Sequence, residues 1–264
     1  MKKTTPLRTL TYWMVVIASA ICVFSLYTFF QNKEKTPPKS VSDIVEDTPE
    51  PEQKPIEAEA EDSVKPVVIE TPEPTPVKIP TELNLDAPFY SQAPFSNWDF
   101  PWQEACEEAS ILLAANVYGK HNWTRTQFND EILKMVEWQK KEFGTYLDTT
   151  VAQNAKIFSN YLGIETITHE NPSLDEIKSI LNKGHFIIMF LSGKELGNPN
   201  FTNGGPVYHA ILVKGYKGTN IITHDVGTKN GANYVYSWAT LQSAMHDFAV
   251  PINSGAKRIL EVLP

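Results

Sequence analysis

The chemistry of this sequence gathers around Cys106. It stands in Glu104-Ala105-Cys106-Glu107-Glu108, at the head of a run in which Ala109, Leu112, Leu113 and Val117 recur at helical spacing, with Gly119 as a stop. A cysteine at a helix N-terminus faces unpaired backbone N–H groups and the positive end of the helix dipole, and both favour thiolate over thiol. The one other cysteine, Cys22, lies in an apolar run near the N-terminus, so Cys106 has no disulfide partner within its own domain. A nucleophilic thiol also needs a base, a group that orients the base, and donors for an oxyanion.

All six histidines follow residue 120. His209 differs from the rest by its setting, an alternating strand over residues 207–214 on which it shares a face with Val207, Ile211 and Val213. Read alone, it suits a core histidine equally well. The stretch Gly215-Tyr216-Lys217-Gly218-Thr219 fits a three-residue hairpin loop with Gly218 left-handed. Pairing Gly215 with Thr219 then puts His209 directly opposite Asp225 on one face, whereas a two-residue loop puts them on opposite faces. A carboxylate there would fix the imidazole tautomer and favour its charged form. Asp225 also suits a simpler role, capping the turn Asp225-Val226-Gly227. His224 and Asp225 are consecutive and point to opposite sides of a strand, so they do not converge with His209 on one ion, and no metal or cofactor is expected.

Taken together, Gln92 in Phe89-Tyr90-Ser91-Gln92, Cys106 leading a helix, His209 on a strand and Asp225 sixteen residues later resemble the papain-like cysteine peptidases. The nearest branch resembles the bacteriocin-processing, double-glycine-leader peptidases, over roughly residues 85–263. The resemblance implies an α+β papain-like fold, Cys106 as nucleophile, His209 as general base and then acid, and Asp225 as the orienting group. It assigns the oxyanion-hole glutamine to Gln92, with Gln103 as rival. Two departures stand out. Glu107 and Glu108 follow the cysteine where many relatives carry glycine, and neighbouring carboxylates raise a thiol's pKa unless solvent screens them. The chain also lacks the transporter and Gly-rich phosphate loop that usually accompany leader peptidases.

Four helices and then several strands are expected around these residues. After the Cys106 helix, residues 124–143 carry the stripe Phe128, Ile132, Met135, Val136 and Phe143. Asp148 is the expected N-cap of a third helix over residues 149–162, and residues 173–182 form a fourth. Strands are expected at residues 185–191, 207–214, 220–225 and 257–263, with a helix at residues 238–247. Helices first and antiparallel strands second describe an α+β domain with the two segregated. The loop over residues 192–206, rich in Gly, Asn and Pro, reads as an exposed lid or cleft wall. Phe95, Trp98, Phe100 and Trp102 either line the cleft or cover the helix.

Residues 10–30 form 21 consecutive uncharged, mainly apolar positions behind Lys2, Lys3 and Arg8. That length spans a bilayer as a helix, and the flanking charges place the remainder of the chain outside the cytoplasm. A cleaved signal peptide at Ala18-Ser19-Ala20 is the rival, but apolar residues continue for ten more positions, so an uncleaved single-pass anchor is expected. Residues 31–80 hold ten of the nineteen prolines and twelve acidic residues against six lysines, with no aromatic residue and no glycine. Such a segment cannot bury enough apolar surface to fold and reads as an extended linker. Residues 81–264 remain as one domain with a net charge of −5, and an acidic domain without a basic run excludes nucleic acid as a partner.

The expected function is therefore a membrane-anchored, extracytoplasmic cysteine hydrolase acting on a peptide or protein substrate. Two other readings use the same residues: a catalytically inactive peptide- or wall-binding module, and transglutaminase-type acyl transfer to an amine.

Overall fold

The computed structural model describes residues 79–264. The expected membrane anchor at residues 10–30 and nearly all of the linker lie outside the described residues. Among the described residues, no helix is long and apolar enough to cross a membrane.

Helix α1 (Cys106–Tyr118) is buried all round from Cys106 to Asn116, its polar residues Glu107, Glu108, Ser110 and Asn116 included. It is the central helix of the apolar layer on one side of the sheet, packed against α2 (Arg125–Glu142) and against Ala210 and Leu212. Each fully buried Leu, Ile or Phe of such a layer contributes about 1.5–3 kcal/mol. Helix α2 begins at the capping box of Thr124 and Gln127 and buries Phe128, Ile132, Met135 and Val136 of the expected stripe, while Phe143 is its half-buried C-cap. Helix α3 (Val151–Lys156) runs on into a wider π turn over Ile157–Leu162. Its cap is not Asp148 as expected but Thr150, whose hydroxyl accepts the Gln153 N–H, while Asp148 adopts a left-handed φ of 49° in the preceding loop. Thr150 wins because Gln153 returns the bond to the Thr150 N–H, which Asp148 could not gain.

Seven antiparallel strands form one sheet in the order β2 (Thr166–Glu170), β7 (Arg258–Val262), β3 (Phe186–Leu191), β4 (His209–Lys217), β5 (Asn220–His224) and β6 (Tyr234–Ser237), with β1 (Glu82–Asn84) also paired to β4. Strand β4 is the hub. Its first half pairs with β3, and where β3 ends β1 takes over. Gly215 permits this, because a Cβ there would sit 2.3 Å from the Leu83 carbonyl oxygen. Helices α4 (Leu174–Asn182) and α5 (Trp238–Ala244) bury Ile177, Ile180, Leu181, Leu241 and Ala244 against the other face. The architecture is α+β, as expected, but helices cover both faces. Strands β1, β2 and β6 are additions. They are short, and β2 and β6 are largely exposed, so neither carries an apolar run long enough to read.

The β4–β5 hairpin corrects the expected register. Lys217 pairs with Asn220 across a two-residue turn, Gly218-Thr219, with Gly218 at φ 60°. Gly215 pairs with Ile222, not Thr219, and Val213 with Thr223, so Lys214 is an extra residue in a β-bulge. The bulged lysine turns its ammonium to the side-chain oxygens of Asn84 and Asn233.

Candidate active site

Cys106 enters α1 from a 3-10 turn at Trp102–Glu104, which packs the indole of Trp102 on α2 by a 2.9 Å bond to Asn129. As the first residue of the helix, Cys106 has no intrahelical acceptor for its N–H. The residue is 5% exposed, and its sulfur donates to Glu107 Oε2 at 2.9 Å. The expected low thiol pKa is overturned. Burial first, and then the Glu107 carboxylate, push it well above the ordinary range, against a smaller lowering by the Ala210 backbone. The carboxylates that follow Cys106 are not screened by solvent, because Glu107 and Glu108 are themselves buried, at 1% and 0% exposure.

His209 opens β4 and is 1% exposed. Its Nε2 meets Asp225 Oδ1 at 2.8 Å. The carboxylate there favours the tautomer with the proton on Nε2, which leaves the Nδ1 lone pair to act as a base. Asp225 is held from three further sides. The Tyr236 hydroxyl donates to Oδ2 at 2.5 Å, Asn198 Nδ2 donates to Oδ2 at 3.0 Å, and the Gly227 N–H donates to Oδ1 at 3.0 Å. Burial alone would raise its pKa, but the His209 charge and these hydrogen bonds outweigh it and hold the carboxyl below the usual range. The turn-capping role and the histidine-orienting role of Asp225 thus coexist. His224 faces the other way. Its Nε2 donates to the Ala87 carbonyl, its Nδ1 accepts the Asn233 N–H, and burial pushes its pKa down to about 4.

Cys106 and His209 line one cleft of about 410 Å³, together with Gln92, Gln103, Trp98 and Glu104. Asp225 stands behind His209. Gln92 is buried, and its Nε2 donates to the Trp102 and Gln103 carbonyls at 2.9 and 3.0 Å, so both of its protons are engaged. Gln103 Nε2 donates to Glu104 at the exposed rim. Of the aromatic loop, Trp98 lines the cleft, Trp102 packs on α2, and Phe95 and Phe100 are exposed. Among the described residues no group of three His, Cys, Asp or Glu side chains is arranged to hold a metal ion.

The model of the Peptidase_C39 like family matches residues 84–248, well over half of the chain and all four candidate residues. The chain belongs to that family. C39-like chains are papain-like cysteine peptidases by family. The solved structure of a candidate C39-like peptidase from Bacillus anthracis is 13% identical, with a TM-score of 0.46, and the match covers 69% of this chain and 98% of that one. No curated protein matches.

Two groups of this C39-like site escaped the sequence. Asn198 lies in the 192–206 loop, whose composition predicts exposure throughout. Instead Leu196 and Asn198 are buried and tie the loop to Asp225 and Tyr236. Tyr236 sits on a strand too short to recognise, and no spacing signal links it to Asp225. Glu107 was visible as a departure, but its contact with the sulfur was not.

Proposed function

We propose that this chain is a cysteine hydrolase that cleaves peptide or other amide bonds, with Cys106 as nucleophile, His209 as base and then acid, and Asp225 as the group that orients His209. One observation carries this reading: the thiol at the head of α1 and a histidine already bound to a buried carboxylate open on the same cleft. His209 Nδ1 takes the Cys106 proton, and the thiolate attacks the substrate carbonyl. The Cys106 backbone N–H stabilises the oxyanion, joined by Gln92 once Nε2 gives up one of its two carbonyls. The imidazolium returns its proton to the leaving amine, and water activated by His209 then hydrolyses the thioester. The run at residues 10–30 supports a single-pass anchor and an extracytoplasmic peptide or protein substrate.

The experiment is to incubate the protein and its Cys106→Ala and His209→Ala variants with a mixed peptide library, with and without an added amine, and to identify products by mass spectrometry. Cleavage lost in both variants supports hydrolysis. Amine-capped products in place of acids move the reading to acyl transfer. No product from the parent protein leaves the binding-module reading, which the high thiol pKa and its bond to Glu107 favour.

A further inference from the structure

Glu107 holds the sulfur by a hydrogen bond, and the hydrolytic cycle gives it no task. Oε2 accepts the Cys106 thiol proton at 2.9 Å, while Oε1 accepts the Thr149 N–H at 3.0 Å and the Thr149 hydroxyl at 3.2 Å. The carboxyl is fixed by these contacts. The sulfur is not, since one bond rotation about Cα–Cβ re-aims it. No Cys106–His209 hydrogen bond forms in this arrangement, so the proton that His209 needs is directed at Glu107 instead.

We propose that Glu107 is a gate on the nucleophile, holding Cys106 as a resting thiol until the sulfur rotates from Glu107 Oε2 to His209 Nδ1. The inference rests on the hydrolase reading and adds its regulation. In the resting arrangement the proton is on Sγ and the negative charge on Glu107. In the armed one the same proton has passed to His209 Nδ1, Sγ carries a new negative charge, and Glu107 is unchanged. Nothing is consumed.

The surroundings make the resting arrangement the stable one. Glu107 faces Cys106 and Glu108 on α1, Asp148 on the loop before α3 and Tyr208 just before β4, while Glu104 stands near Glu108 and Asp247 near Tyr208. Among the described residues Glu104, Glu107, Glu108 and Asp148 make no ion pair with Lys or Arg, and Asp247 shares Arg258. A thiolate beside an ionised Glu107 therefore meets like charge with His209 as the one counter-charge. Burial pushes the Glu107 carboxyl up to about 7, so the like charge that holds Cys106 as a thiol is complete only on the alkaline side of neutrality.

The test measures iodoacetamide labelling of Cys106 from pH 5 to 10 in the full chain in detergent, on a Cys22→Ser background. Glu107→Gln should move the labelling midpoint down by at least one pH unit, which makes labelling about tenfold faster on the acidic limb. Glu108→Gln, equally buried but away from the sulfur, should leave the midpoint in place. A folded Glu107→Gln protein with the parent profile overturns the gate. Infrared spectroscopy of the parent needs no variant: the S–H stretching band should shift as pH crosses the Glu107 titration, and a band that stays put overturns the gate. His209→Ala combined with Glu107→Gln separates the two claims. Loss of the low-pH labelling supports both. Retention supports the gate and overturns the Cys–His pair.

Discussion

His209 and Asp225 meet at 2.8 Å across a hairpin whose two-residue turn would, on its own, put them on opposite faces of the sheet. The bulge at Lys214 reconciles the two. Before it the register sets Leu212 opposite His224, so Ile211, which shares a face with His209, stands opposite Asp225. The pair is thus a diagonal one, and it forms because the bulge absorbs the one residue by which β4 exceeds its partner. Deleting Lys214 removes that surplus residue and leaves the paired positions on either side in register. His209 is therefore expected to keep Asp225 and hydrolysis to survive, as in a Lys214→Ala substitution. Loss of activity in a folded deletion variant would show that the bulge itself is required. Activity of the two variants checks this, with circular dichroism to confirm that both fold.

Removing the base outright is a simpler intervention. A positioned general base contributes about 10²–10⁴ in rate, so His209→Ala is expected to lower kcat by that factor with little change in KM. Asp225→Asn should lower kcat as well, because an amide facing Nε2 no longer fixes the tautomer. Steady-state kinetics on any cleaved peptide measures both.

Tyr236→Phe isolates one support of Asp225. The hydroxyl bonds to an ionised, buried carboxylate at 2.5 Å, and such bonds contribute about 1.5–3 kcal/mol. Asp225 has its carboxyl held below the ordinary value, so its stabilising contribution is present above the unfolded pKa of about 3.9 and is lost as pH falls through the folded value. Tyr236→Phe should therefore destabilise the protein at pH 7, by an amount that shrinks as the pH falls through the folded Asp225 value. Urea denaturation across an acid pH series gives the comparison.

The sequence made some of this legible and hid the rest for definite physical reasons. Helix α2 was readable because its apolar stripe is long and its cap is a paired Thr–Gln box, and β3 because six buried residues in a row leave no periodicity but strand length. The Cys106, His209 and Asp225 candidates followed from residue type and setting. Their expected pairing was wrong in register yet reached the same face, because an unforeseen bulge undid an unforeseen turn. Burial was the quantity that could not be read. The helix N-terminus predicts a thiolate, and solvent would screen an exposed Glu107, but both groups lie inside the fold, where desolvation dominates. Asn198 was hidden in a loop of exposed composition that the Asp225 network pulls inward.

Gly227 is a steric prediction. A Cβ there would stand 2.8 Å from His209 Cε1 and 3.0 Å from the Phe201 ring, and His209 cannot swing aside without leaving Asp225. Gly227→Ala is expected to lower kcat at least tenfold, a barrier change of about 1.4 kcal/mol. The labelling profile of Cys106 should lose its dependence on His209 at the same time, which a purely structural defect elsewhere would not produce.

The buried acids beside the nucleophile set the pH dependence of stability. Burial holds both Glu107 and Glu108 above the carboxylate range, Glu107 to about 7. A carboxyl with a raised folded pKa contributes stability that is fully present below its unfolded pKa and is lost as pH rises through the folded one. For Glu107 that window runs from about 4.5 to about 7, and the loss is on the order of 3 kcal/mol. Glu107 and Glu108 therefore lower stability between pH 5 and pH 8, against His224, whose pKa of about 4 raises it over the acidic part of that range. Glu108→Gln, an isosteric neutral replacement that also keeps a group for Gln139, should flatten this slope from the alkaline side and raise Tm at pH 8. Calorimetry of the two proteins at both pH values checks it. A Glu108→Gln protein with the parent's dependence on pH from 5 to 8 would show that Glu108 ionises freely in the folded state, contrary to its burial.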